Sequence, residues 1–229
     1  ITTAQRYVQV LRDDPSAGFD GYQSYDPQNP ASASEIDVQV QAIWSAMVHE
    51  LRLGYINPPP VYSRELDSQR LRTPSMVAGD RNGTCVDLAL FFAACCELVD
   101  IYPVIFLLTG HAFPGYWRSD ADHDVFRQAR PESIQEIAPA DSRSSAAALA
   151  QPTSWYLGKS TYKEIVEHVR KGRLIPLETV RLTEHCGFWE AVDAGRKNLR
   201  DPNEFDSIVD IVLARTAQVT PLPLWGEQT

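Results

Sequence analysis

The sequence predicts an α+β fold in which one apolar helix packs on an antiparallel sheet, with further helices flanking that core. Three observations carry this. From Cys85 to Val99 the chain is apolar apart from Asp87 and Glu97, the pattern of a helix buried around most of its circumference. Ile101 to Leu108 (IYPVIFLL) follows as a β-rich run of strand length, and after the turn signal Thr109-Gly110 a second extended segment runs from His111 to Trp117 (HAFPGYW). Leu174 to Leu182 (LIPLETVRL) reads as a further strand, its proline marking an edge or an irregular start.

The remaining elements follow in chain order. Residues 1–12 suit a short helix with Tyr7, Val8, Val10 and Leu11 as its apolar side, and Asp13 to Ser34, rich in Asp, Pro, Gly, Ser and Asn, reads as a long surface connection. A helix is expected from Ser34 or Glu35 to about Leu53, burying Ile36, Val40, Ile43, Trp44, Met47, Val48 and Leu51; Pro58-Pro59-Pro60 stops that region. Between Gln69 and Cys85 the chain is turn-rich, with Gly79 and Gly83 ahead of the cysteine. Arg118 to Pro152, with its charges, prolines and the alanine-rich run Ala146 to Ala150, reads as an insertion holding one or two short helices. Tyr162 to Val169 suits a helix stopped by Gly172, and two amphipathic helices are expected at Phe188 to Leu199 and Phe205 to Ala214, before a proline-marked end at Pro221 and Pro223. The expected organisation is a single domain over 1–229, with an N-terminal helical region to about residue 60 and C-terminal helices over about 188–215.

Composition narrows the function classes. With 44% hydrophobic and 22% charged residues the chain has the balance of a soluble globular protein rather than a disordered one. A net charge of -9 argues against a nucleic-acid partner, because such affinity rests on clustered Lys and Arg. No apolar run approaches the roughly 20 residues needed to span a bilayer, so no membrane partner is expected. No signal-peptide pattern is visible at the start, although a chain beginning at Ile1 is compatible with an earlier removal. Cys85, Cys95, Cys96 and Cys186 are too few and too irregularly spaced for a disulfide framework or a zinc ribbon, which points to reduced thiols and a cytoplasmic location. Cys95 and Cys96, inside the apolar helix, read as small core residues.

Cys85 is different, because it opens the apolar helix. The unpaired amides and the dipole at a helix N-terminus favour a thiolate over a thiol. A helix followed by an antiparallel strand pair can return a strand residue to the helix mouth, which places Cys85 and His111 within reach of a hydrogen bond.

The runs Gly83-Thr84-Cys85-Val86-Asp87-Leu88-Ala89 and Gly110-His111-Ala112-Phe113 resemble the bacterial transglutaminase-like branch of the papain-type cysteine peptidases and acyltransferases. The likeness is specific at these motifs and extends weakly to the approach from Gln69 and to Ile175 through Thr179. It implies a transglutaminase-like (papain-like) core carrying a Cys-His-acid site. Glu178 is the expected acid: it lies in Ile175-Pro176-Leu177-Glu178-Thr179, on a strand able to follow the histidine strand, and matches the place where relatives carry an acid near a Pro or Thr. Many relatives use aspartate there. Asp120 and Glu184 stand as alternative acids.

For an oxyanion site, the Cys85 backbone amide is the natural donor and Gln69 a second candidate. Asp87 reads as a first-turn or capping carboxylate. His123, between Asp122 and Asp124, invites a metal reading, but three adjacent side chains rarely converge on one ion, so a solvated loop is expected; His185-Cys186 reads as a loop or helix-start pair. No metal or cofactor is expected. The implied reaction is acyl transfer from an amide in a protein or peptide substrate, with hydrolysis preferred over transfer to an amine. A non-catalytic binding module on the same fold is the alternative, and membership of a larger multidomain protein or complex stays open.

Overall fold

The structure, a computed structural model, describes residues 1–57, 71–129 and 155–219. Gln69, the Pro58-Pro59-Pro60 stop, the Ala146 to Ala150 run, Pro221 and Pro223 lie outside these residues. The helices are α1 (Thr2–Arg12), α2 (Ala33–Ser45), α3 (Pro74–Asp80), α4 (Cys85–Glu97), α5 (Asp120–Gln128), α6 (Tyr162–Arg170), α7 (Phe188–Asn198) and α8 (Ile211–Thr216). The strands are β1 (Gly54–Tyr55), β2 (Asn82–Gly83), β3 (Pro103–Leu108), β4 (His111–Trp117), β5 (Tyr156–Gly158), β6 (Leu174–Pro176) and β7 (Phe205–Asp210). The fold is α+β around a five-stranded antiparallel sheet of order β5-β7-β3-β4-β6, while β1 and β2 form a separate parallel pair.

The sheet is buried on both sides, and the alternation of β3 and β4 divides the core. Val104, Phe106, Phe113 and Trp117 face Phe126 of α5 and Ile165 and Val169 of α6. On the opposite face Ile105 and Ala112 meet Ala89 and Ala93 of α4, whose short side chains let the helix lie close to the sheet. A larger cluster joins the rest of α4 to α2 and α7 through Trp44, Met47, Phe92, Phe188 and Val192. No helix among the described residues is long and apolar enough to cross a membrane.

Local chemistry accounts for how α4 begins. Thr84 is its N-cap in an extended conformation, and Thr84 and Asp87 form a reciprocal capping box. The Asp87 Oδ2 accepts from the Thr84 amide at 3.0 Å, and its Oδ1 accepts from the Arg72 amide at 2.8 Å, which binds the approach segment to the helix start. Asp87 is thus the capping carboxylate expected of it. The sequence reading left α3 unassigned, although Thr73 accepts from the Met76 amide and Pro74 occupies the first turn, both ordinary start signals.

Four expectations need correction. The helix expected over Phe205 to Ala214 is strand β7 followed by α8: Phe205 to Asp210 pairs with β3 on one side and β5 on the other, and Asp210 caps the Leu213 amide at 3.0 Å to start the helix. Pairing on both edges overrides the helical reading of that run. The strand expected over Leu174 to Leu182 ends at Pro176, and Thr179–Glu184 winds into a 3-10 turn with Glu178 as its cap. The helix expected to run to Leu53 widens into a π-helical turn at Ala46–Leu51 and stops at Arg52 in the left-handed region. His123 is not in a solvated loop: it lies on α5, 2% exposed, with Nε2 3.0 Å from the Asp210 Oδ2. The Asp210 amide in turn donates to the Trp155 carbonyl at 2.8 Å, so the chain is held at Asp210 both before and after residues 130–154.

Candidate active site

Cys85 is the first residue of α4 and is 8% exposed at the junction of that helix with β4. His111 is the first residue of β4, placed there by the tight reversal at Gly110, whose φ of 72° lies in the region that favours glycine. Its ring stacks on Phe113 with centroids 5.7 Å apart, which fixes its plane. Imidazole and thiol are near enough for each to shift the proton affinity of the other. His111 Nε2 lies 2.7 Å from the Glu178 Oε2, leaving Nδ1 as the ring nitrogen for the sulfur.

Glu178 reaches this position without being on a strand. Pro176 closes β6 opposite Gly115, the Leu177 amide still donates to the Pro114 carbonyl at 2.8 Å, and the next residue turns its carboxylate back toward β4. That carboxylate is 7% exposed and fully engaged: Oε1 accepts from the Val180 amide at 2.9 Å, and Oε2 accepts from the Asn198 side-chain amide as well as facing His111. The backbone amide of Glu178 donates to the Ala191 carbonyl of α7 at 3.0 Å. Asn198 comes from the last turn of the same helix, three residues after Gly195. A Cβ at Gly195 would stand 2.9 Å from the carbonyl carbon of Pro176 and 3.0 Å from the Leu177 nitrogen, so the close approach of α7 to β6 requires glycine there.

The electrostatics follow from this packing. Burial pushes the Cys85 thiol up, but the hydrogen bond with His111, the Ala112 and Val86 backbone amides directed at the sulfur, and the imidazolium charge more than offset it, and the net shift is downward. His111 is pushed up to about 10, first by its bond to Cys85 and then by Glu178, against the opposing effect of burial. Both shifts act toward a thiolate paired with an imidazolium, the charge distribution of an activated nucleophile. The other three thiols go the opposite way: burial raises Cys95 to about 11, Cys96 well above its usual value, and Cys186 upward.

The structure brings Cys85, His111 and Glu178 together, and neither Asp120 nor Glu184 is the partner of His111. Asp122, His123 and Asp124 do not converge: His123 turns inward to Asp210, Asp122 pairs with Ser119 and Arg173, and Asp124 with Arg127. Asn198 escaped the sequence reading, and its only indirect signal is the helical glycine one turn before it. A groove of about 410 Å³ between α6 and α7, lined by Val166, Arg170, Arg196 and Arg200 among others, includes none of the thiol-site residues.

Fold and site thus define an α+β protein with a thiol at the mouth of a core helix and, beside it, an imidazole bonded to a buried carboxylate. No family model, no curated protein and no solved structure matches this chain.

Proposed function

We propose that the chain is a thiol-dependent peptidase or amidase of the transglutaminase-like, papain-type kind, acting on a protein or peptide substrate through an acyl-enzyme. The observation that supports this most directly is the series from the Cys85 sulfur through the His111 ring to the Glu178 carboxylate, with the thiol held low and the imidazole held high. In this reading the Cys85 thiolate attacks the amide carbonyl, His111 gives its proton to the departing amine, and water then cleaves the thioester with His111 as base. Glu178 keeps the ring oriented and stabilises its cationic form. The four free cysteines fit the reducing setting of a cytoplasm.

Selective alkylation tests the reading. Limiting iodoacetamide near neutral pH, followed by peptide mass analysis, should label Cys85 well ahead of Cys95, Cys96 and Cys186, because only its thiol is shifted toward the thiolate. Equal labelling of the half-buried Cys186 would remove the basis for an activated nucleophile. Cys85→Ala should fold normally and lose any hydrolysis of a thiol-reactive ester such as p-nitrophenyl acetate.

A further inference from the structure

An acyl transfer through Cys85 needs donors for the oxygen that becomes negative when the carbonyl is attacked. One is at hand, since the capping box satisfies the Asp87 amide and leaves the Cys85 N–H without an acceptor among the described residues. The second donor is legible in the small parallel pair that leads into α4. Gly54 and Tyr55 stand opposite Asn82 and Gly83, and the Ile56 amide continues the ladder to the Gly83 carbonyl at 2.9 Å. Continuing this parallel register by two residues would set Asn57 level with Cys85. The Tyr55 hydroxyl reaches the Asn57 side chain, so the two lie on one side of the chain. That face is turned to the thiol, because Tyr55 packs in the cluster that contains Cys85, Ala112 and Val180. Burial raises the Tyr55 hydroxyl, and the nearby charges of Cys85 and Glu178 raise it further.

Tyr55 also sets the orientation of Asn57. Its hydroxyl donates to the Asn57 Oδ1 at 3.0 Å, which commits the carbonyl end of the amide to the tyrosine and presents Nδ2 as the donor end. The Tyr55 backbone is itself pinned, its amide donating to the Thr183 hydroxyl at 2.6 Å.

From this placement we infer that Asn57 is the side-chain donor of the oxyanion site, acting with the Cys85 amide, and that Tyr55 is its positioning residue. The inference rests on the thiol-enzyme reading above. In the step concerned, the Cys85 sulfur forms a bond to the carbonyl carbon and the carbonyl electron pair moves onto oxygen, where the Cys85 N–H and the Asn57 Nδ2 hold it. Collapse restores the carbonyl and expels the leaving group, which takes its electron pair and, when it is an amine, the proton of His111.

Two reactions of one sulfur separate this role from a structural one. Acylation by p-nitrophenyl acetate passes through a tetrahedral oxyanion, whereas alkylation by chloroacetamide displaces chloride and forms none. Asn57 is exposed, so its substitution leaves the core intact. In Asn57→Ala the release of p-nitrophenolate should fall by about 10²-fold while the alkylation rate stays within about twofold. Asn57→Gln should recover part of the acylation rate, and Tyr55→Phe should lower acylation alone to a smaller extent. A parallel fall of both rates, or no fall in either, would overturn the assignment. Unchanged p-nitrophenolate release in Cys85→Ala would instead remove the thiol-enzyme reading itself.

Discussion

Asn198 donates its side-chain amide to the same Glu178 oxygen that His111 engages, so the carboxylate is clamped between the last turn of α7 and the first residue of β4. With the Val180 amide on the other oxygen, Glu178 has little rotational freedom left, and the ring it orients is fixed from both sides.

The pH dependence of Cys85 reactivity should report the pair. Its thiol is shifted down and His111 is pushed up to about 10, so the two shifts widen the pH range of the thiolate–imidazolium state, whose upper end is set by His111. The alkylation rate should rise at a pH below that of an ordinary thiol, with a second inflection as pH passes about 10 and His111 loses its proton. In His111→Ala only burial and the backbone amides act on the sulfur, and burial is the largest effect and raises it. The rate at neutral pH should then drop by ~10-fold or more, one pKa unit being a factor of ten in thiolate. An unchanged profile would show that the two groups are not coupled.

Glu178→Gln retains the shape of the clamp and removes its charge. Turnover should fall by about 10²-fold or more, by analogy with other acid-to-amide changes behind a histidine, with thermal unfolding nearly unaltered. Asn198→Ala keeps the charge and loses one hydrogen bond, and a smaller loss of about tenfold is expected, corresponding to the ~1.5 kcal/mol of a bond to a charged group. If Asn198→Ala proved as damaging as Glu178→Gln without unfolding, the histidine would depend on orientation more than on charge.

Gly195→Ala should act at a distance. The added methyl meets the backbone of Pro176 and Leu177 rather than a side chain able to move aside. A destabilisation of about 1–3 kcal/mol is expected, read from denaturant unfolding. Cys85 alkylation should slow as well, because α7 carries Asn198 away from Glu178 when it retreats from β6. Normal stability in this variant would mean that the helix has room the packing does not show.

His123→Phe tests the far side of the sheet. The substitution fills the space but leaves the Asp210 Oδ2 buried without its partner, at an expected ~1–3 kcal/mol or more. Cys85 reactivity should stay near that of the parent while the unfolding midpoint falls. Reactivity and stability falling together would tie the two regions more closely than their separate clusters indicate.

What the chain discloses by itself depends on whether a feature is local. The start of α4 was legible because Thr84 and Asp87 cap it from within a few residues, and the hairpin was legible because Gly110 sits between two apolar runs. Cys85 and His111 follow from those two facts. Glu178 was identified on the wrong element: the apolar Leu174 to Leu177 looks continuous with Val180 and Leu182, and the proline that ends the strand reads equally well as an edge position. Strand β7 was hidden because its apolar residues run directly into those of α8, with Asp210 the only break. His123 was misjudged through its charged neighbours, although Ser119 and Asp122 form a helix-start signal and Phe126, one turn on, shares the inward face. Asn198 could not be found locally, because its role arises from how closely α7 lies on β6.

The hold on Asp210 has a different kind of consequence. The His123 ring of α5 and the Trp155 carbonyl just before β5 both meet Asp210, so two segments far apart in the chain converge on one residue at the end of β7. A single residue thereby ties α5, β5 and the start of α8 together, and a change at Asp210 reaches all three at once.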